Sequence, residues 1–310
     1  MIIKSSSSDV VIAILKDKKL IELHREHKDN SFSVGDIFLG RVKKVIPGLN
    51  AAFIDVGYGK DAFLHYLDLG PQYSSLSKFV SRAITGKQSV SNLIYFNFEK
   101  DIDKNGQMAD QLKANQKIVV QISKEPISTK GPRLTSELSI AGRYLVLVPF
   151  SDRISISQKI RSREEKDRLK RLMISIRPKG FGVIVRTVAE DKKVADLHND
   201  LNDLVKKWDK MFRGIKGSHP PKKLLGELNK TSALLRDLMN SSFSNIYVDD
   251  EELFEDIAGT IQSIDPSLEK ILKHYKGKVP IFDFFGVEKQ IKAGFGKNVT
   301  MDSGAYLVIE

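Results

Sequence analysis

Residues Val34–Leu69 read VGDIFLGRVKKVIPGLNAAFIDVGYGKDAFLHYLDL, and this stretch decides the fold. Asp36 to Val45 is rich in β-branched and aromatic residues, Ala51 to Val56 is a second such run, and Ala62 to Leu64 begins a third. Pro47-Gly48 and Gly57-Tyr58-Gly59 break them, since proline fixes φ and glycine admits turn geometries closed to other residues. Three short strands in succession predict the opening meander of a small barrel.

Within the run, Phe53 and Phe63 sit in strands among the cations Arg41, Lys43, Lys44 and Lys60. Two readings stay open. The rings fill the barrel core, the commoner fate of a strand phenylalanine, or they face outward, where bases stack on them while the cations follow the phosphates. Gly57, Gly59 and Ala62 spell G-x-G-x-x-A after a strand. A dinucleotide site would need a helix next; AFLHYL follows instead, so that reading is rejected.

The segment Gly40–Gly57 follows the pattern G-(K/R)-(V/I)-x-x-(V/I)-x-P-x-(L/M)-x-A-A-F-(V/I)-D-x-G. It resembles the OB-fold RNA-binding module in the form carried by the RNase E/G family of bacterial endoribonucleases. The resemblance implies an α+β multidomain chain: an RNase H-like domain with an inserted OB-fold barrel and an α/β 5′-sensor subdomain, then the first hairpin of a DNase I-like domain. It implies RNA binding by Phe53, Phe63 and Arg41, and by Lys130 in the Thr129–Arg133 turn, which on residue type alone is a solvated turn lysine.

The totals agree with a polyanionic partner. A net charge of +11 over 310 residues favours nucleic acid or an anionic surface. No cysteine is present, so neither disulfides nor thiolate metal sites are available. No stretch has the length and apolarity of a membrane span or the pattern of a cleaved leader, and a cytoplasmic protein without membrane contact is expected.

Outward from the barrel, the chain divides into an RNase H-like first part (1–34), the barrel (35–137) with an insertion at about 70–116, a sensor subdomain (138–220), an RNase H-like second part (221–294) and the nuclease hairpin (295–310). Residues 9–26 read as a hairpin turning at Lys16–Lys19, which needs a larger sheet to join. A helix is expected at Ser74–Ile84, and Gln116–Ile122 closes the barrel. Ser162 and Glu165 form a capping-box pattern opening a helix to Ile176. Val194, Leu197, Leu201, Leu204, Val205, Trp208, Met211 and Phe212 recur at helical spacing, with Trp208 read as core. Beyond lie an expected helix Thr231–Met239, a strand Ser244–Val248, and helices Glu251–Ile264 and Ser267–Tyr275.

Arg186 and Thr187 end the strand GFGVIVRT. A guanidinium fork binds a terminal phosphate through two bonds and a threonine hydroxyl adds another, although most strand-ending Arg-Thr pairs are ordinary edge features. With Ala141–Leu147 this segment resembles the family's 5′-monophosphate sensor, which implies phosphate contacts from Arg186 and Thr187 and base contacts from Gly142 and Val146, with Lys159 a looser match. The acids Asp249, Asp250, Glu251, Glu252, Glu255 and Asp256 could hold Mg²⁺ or open a helix; the helix start is favoured. Val299–Glu310 resembles the first nuclease hairpin, with Ala305 in place of a glycine. By the same resemblance the Mg²⁺-binding acids of the complete enzyme, and the cysteines of its zinc-linked homo-oligomer contact, would lie beyond Glu310. No residue here is therefore assigned a catalytic or metal role. The chain is expected to bind single-stranded RNA with a 5′-monophosphate end, as part of an endoribonuclease of rRNA and mRNA processing and decay, without cutting it. The alternative is a non-enzymatic OB-fold RNA-binding or regulatory protein.

Overall fold

The apolar pair Ile2-Ile3 opens strand β1 (Ile2–Ser5), which passes into β2 (Asp9–Lys16) and β3 (Lys19–His27). Asp17 and Lys18 alone make the hairpin turn, with φ of 50° and 66°, the left-handed pair whose twist suits a two-residue connection. The turn is tighter than the expected Lys16–Lys19 because those two residues pair across the ladder. The structure, a computed structural model, describes residues 1–27, 32–226, 231, 234–236, 243–264, 266–296, 298–301 and 303–308. It divides into two compact units, residues 1–31 with 228–310, and residues 32–227.

In the second unit, β4 (Ile37–Ile46), β5 (Ala51–Asp55) and β6 (Ala62–His65) form an antiparallel meander. Helices α1 (Tyr73–Ile84) and α2 (Met108–Gln111) follow. Then β7 (Lys117–Lys124) pairs with β4 on one side and with β8 (Arg133–Thr135) on the other, while β8 lies parallel to β6. Five strands thus close on themselves, which removes the free edges of an open sheet. The result is a mixed α/β protein whose closed barrel is compatible with the OB-like fold expected. Gly40 makes closure possible: a Cβ there would lie 2.7 Å from Ile54 Cγ2 and 3.0 Å from the Asp55 carbonyl. Val42, Ala52, Ile54, Ala62, Leu64, Val120 and Leu134 fill the interior.

Residues 70–116 do two jobs. Met108, Leu112 and Tyr73 plug one side of the barrel core together with Tyr66, which precedes the segment. Asn50, left-handed at φ 45°, fixes this plug by donating to the Gly106 carbonyl (3.0 Å) and accepting from the Met108 amide (2.6 Å). The apolar face of α1, meanwhile, joins a different core. Leu76, Phe79, Val80 and Ala83 pack with Leu93 and Phe96 against Phe150, Trp208 and Phe212.

That core belongs to a four-stranded sheet of β9 (Ile140–Ala141), β10 (Leu145–Pro149), β11 (Ile154–Ile156) and β12 (Phe181–Val185), in the order β11-β12-β10-β9. Between β11 and β12 runs α3 (Arg163–Ile176), and after β12 comes α4 (Val194–Ile215). Leu145, Leu147, Val183 and Val185 meet Leu197, Leu201, Leu204 and Trp208 across the layer. Trp208 is 1% exposed, and its indole donates to the Ser91 carbonyl at 2.8 Å, so the ring is core as read. Ser162 caps α3 by accepting from the Glu165 amide at 3.2 Å. The reciprocal half of the capping box does not form, because the Glu165 carboxylate accepts from Arg168 (2.6 and 2.7 Å) and the Asp191 amide (3.0 Å). That contact holds Glu165 below the usual carboxylate range. Strand β13 (Lys222–Leu225) then adds to the first half of β4.

The first unit completes its sheet with β14 (Ile246–Val248), helix α5 (Glu251–Ile264) and β15 (Leu272–His274). The order is β15-β14-β1-β2-β3, antiparallel from β1 to β3 and parallel from β1 through β14 to β15. Ile3 and Ile12 face Ile257 and Ile261 of α5; Ile2 and Ala13 face Ile281, Phe282 and Val287 of the short helices α6 (Ile281–Phe284) and α7 (Val287–Gly294). The alternation of the strands therefore builds three layers. The helix expected at Ser267–Tyr275 is instead a 3-10 segment, Pro266–Ile271, followed by β15: pairing with β14 outweighs the local pattern. Most of the expected helix Thr231–Met239 lies outside the described residues. Strands β16 (Asn298–Thr300) and β17 (Tyr306–Val308) form a hairpin, with Tyr306, Leu307 and Val308 exposed.

Candidate nucleic-acid interface

Strand alternation puts Ala52, Ile54, Ala62 and Leu64 inside the barrel and turns Phe53 and Phe63 outward, each half-buried. The two rings are cross-strand partners, 6.0 Å apart and edge-on at 65°. A bulge in β4 skips Lys43, so that Lys44 pairs with Phe53. On the other side Phe63 pairs with Arg133, and Arg133 with Lys124. One row therefore crosses the sheet as Lys44, Phe53, Phe63, Arg133, Lys124, with cations flanking two rings. Directly paired residues share a face of the sheet, so the row is a single surface. Arg41, exposed, pairs with Asp55 further along β4, and Lys130 is exposed at the Ile127–Lys130 turn. Lys43 donates to Asp61 at 2.6 Å, and this bond raises its ammonium pKa. Arg133 donates through Nη2 (2.8 Å) and Nε (3.0 Å) to one oxygen of Asp68, which fixes its planar fork.

Sequence reading found the rings and Arg41 but did not single out Arg133 or Lys124 for this surface. Arg133 lies in a three-residue strand after a glycine-proline turn, too short to carry a visible period. No signal in the sequence places it opposite Phe63.

The second cluster lies at the end of the four-stranded sheet. Ile184 pairs with Val146 and is 42% exposed, so this face is open where β10 and β12 meet. Arg186, two residues after Ile184, keeps an extended backbone and donates its amide to the Tyr144 carbonyl at 2.8 Å. Its guanidinium donates to the Gly142 carbonyl at 2.9 Å. Thr187 Oγ1 shares a hydrogen bond with Ser157 Oγ at 2.7 Å. Arg186, Thr187, Gly142 and Val146 therefore occur together, with two strands and the 142–145 turn positioning them. Lys159 is exposed two residues after Ser157. Sequence reading missed Ser157 and Asp200. Asp200 sits on the polar side of α4, where the helical pattern marks it only as solvated.

The acids of the first unit behave differently. Asp250 accepts from the Leu253 amide at 2.8 Å and opens α5. Asp249 accepts from the Ser5 amide at 2.8 Å, and burial pushes its carboxyl above the usual range. Glu26, Asp250, Glu252 and Asp256 line a cleft of about 270 Å³. Among the described residues no three His, Cys, Asp or Glu side chains are placed to hold a metal ion, and no helix is long and apolar enough to cross a membrane.

Comparison with known proteins adds a family to this geometry. The model of the Ribonuclease E/G family matches residues 139–310. Ribonuclease G of Escherichia coli K12 is 31% identical over 310 residues, covering all of this chain and 60% of the relative. Ribonuclease G of Haemophilus influenzae is 32% identical over 311 residues, again covering the whole chain and 59% of the relative. Ribonuclease E of Nostoc is 31% identical over 281 residues, covering 89% of this chain and 37% of that protein. The chain thus spans about 60% of the length of the curated ribonuclease G proteins it matches.

Proposed function

Because this chain belongs to the ribonuclease E/G family, we propose that it supplies the RNA-gripping and 5′-end-sensing part of a single-strand-specific endoribonuclease of RNA processing and decay. The row of Lys44, Phe53, Phe63, Arg133 and Lys124 carries the reading. Two half-buried ring faces on the outer side of the barrel accept any base, and cations on either side suit the phosphates of a single strand crossing it. Arg41 and Lys130 extend the charge. The second contact is the transcript's leading end: Arg186 and Thr187 hold the 5′-monophosphate, and Gly142 and Val146 meet the first base. The guanidinium carries several N–H donors, so its Nη1 bond to the Gly142 carbonyl orients the fork while the group's charge meets that of a terminal phosphate.

The mixed five-stranded sheet of the first unit, layered with helices on both faces, supports an RNase H-like role as scaffold. The family's Mg²⁺ finds no fit among the described residues, where no three His, Cys, Asp or Glu side chains are placed to hold a metal ion. We assign RNA binding to the described residues.

Titration of two fluorescent single-stranded RNAs of one sequence, differing only in a 5′-monophosphate or 5′-hydroxyl end, tests this assignment. Arg186→Ala should weaken the monophosphorylated RNA by roughly 1.5–3 kcal/mol and leave the hydroxyl form unchanged. Phe53→Ala should weaken both. Equal losses from Arg186→Ala on both RNAs would remove the sensor; unchanged binding by Phe53→Ala would remove the barrel face.

A further inference from the structure

One carboxylate holds the turn that Arg186 rests on. Asp200, on α4, accepts the backbone amides of Arg143 (3.0 Å), Tyr144 (2.9 Å) and Leu145 (2.9 Å). Seven residues on and so on the same side of the helix, Lys207 donates to the Ala141 carbonyl at 3.3 Å. Helix α4 therefore grips the turn at both ends, anion to amides and cation to carbonyl. Gly142 lies beneath this grip: a Cβ there would come within 2.7 Å of both Asp200 oxygens. The glycine is thus required by the approach of the carboxylate, whatever else it touches. The Gly142 carbonyl, oriented by the turn, is the acceptor for the Arg186 guanidinium at 2.9 Å.

We infer that Asp200 is a positioning residue for the phosphate clip. It neutralises three amide dipoles that would otherwise point into the turn, and by fixing the Gly142 carbonyl it holds Arg186 in the rotamer that meets a terminal phosphate. The inference rests on the sensor reading above and adds the residue that pre-organises it. An asparagine at this place keeps one acceptor oxygen but sets an NH₂ donor against backbone N–H groups, so at least one amide loses its partner and the turn opens.

The test measures the ratio of affinities for 5′-monophosphate and 5′-hydroxyl RNA of one sequence, together with thermal unfolding, in Asp200→Asn, Arg186→Ala and the double variant. Asp200→Asn should lower the ratio roughly tenfold, as loss of a bond to a charged group does, with a smaller loss on 5′-hydroxyl RNA, which shares only the base contact. In the Arg186→Ala background it should lower the ratio no further. A ratio kept by Asp200→Asn but lost by Arg186→Ala overturns the inference and spares the sensor. Equal loss on both RNAs makes Asp200 merely structural and also overturns it. If Arg186→Ala itself keeps the ratio, the sensor reading falls and the inference with it. Should Asp200→Asn fail to fold, Asp200→Ser, which retains one short acceptor, is judged by the same criteria.

Discussion

Two groups of aromatic rings in residues 32–227 use the same side chain to opposite ends. Phe79 meets Phe96, Phe150, Trp208 and Phe212 at centroid distances of 5.4–5.7 Å, and it is fully buried. Phe53 meets Phe63 at 6.0 Å on the outer face of the barrel, and both are half-buried. Ring type does not separate them; what covers the sheet does. The first group is carried largely by helices α1 and α4, which pack into one core with the four-stranded sheet, whereas the second is bounded by Lys44 and Arg133. A ring placed among leucines stabilises the fold, whereas the proposed RNA contact needs rings that keep part of their faces exposed among cations, as Phe53 and Phe63 do.

The largest expected effect breaks the buried group. Phe79→Ala removes the ring that touches four others, and a large-to-small change at such a site costs about 3–5 kcal/mol. Urea unfolding should show a much lower midpoint for this variant. A loss below about 1 kcal/mol would mean that the site collapses around the cavity, and the contrast between the two groups would weaken.

Next comes the exposed group. Phe53→Ala should cost about 1–3 kcal/mol of single-strand RNA affinity, with an unfolding midpoint close to that of the parent. If stability falls as it does for Phe79→Ala, Phe53 is a packing residue and the barrel face loses its stacking platform.

The difference between the groups was only partly legible in the sequence. Strands β4 to β7 could be read from their β-rich runs, and cations beside Phe53 marked a surface. Phe79 lies in the helix expected at Ser74–Ile84, but its partners Trp208 and Phe212 lie more than a hundred residues away, and no local pattern encodes which core a helix joins. The same limit explains Arg133, which meets Phe63 only through barrel closure. It explains β15 as well, where pairing with β14 makes a strand of a stretch that reads as helix. Within the proposed sensor, Arg186 and Thr187 stand at a strand end, an ordinary edge feature on its own, and were singled out by resemblance to the family's segment. Asp200 was not, because its three partners are backbone amides that carry no sequence signal.

The smallest effect sharpens the boundary between the groups at Tyr73, whose ring lies in the barrel plug and whose hydroxyl accepts from Gln116 Nε2 at 3.2 Å. Burial raises its phenol from the ordinary 10.0 to about 12. The folded state thus binds this proton more tightly than the unfolded chain does. The stability it contributes is fully present below pH 10 and is lost as pH rises from 10 toward 12. Tyr73→Phe should cost about 1 kcal/mol or less near neutral pH, the worth of one modest hydrogen bond. Above pH 10 the variant should lose stability less steeply than the parent, because its ring has no proton to release. Unfolding free energies of both proteins between pH 8 and 11.5 give the difference directly, with the many surface lysines cancelling between them. A difference that stays flat across that range would mean that the Tyr73 hydroxyl reaches water, and that the plug closing the barrel is open on its side.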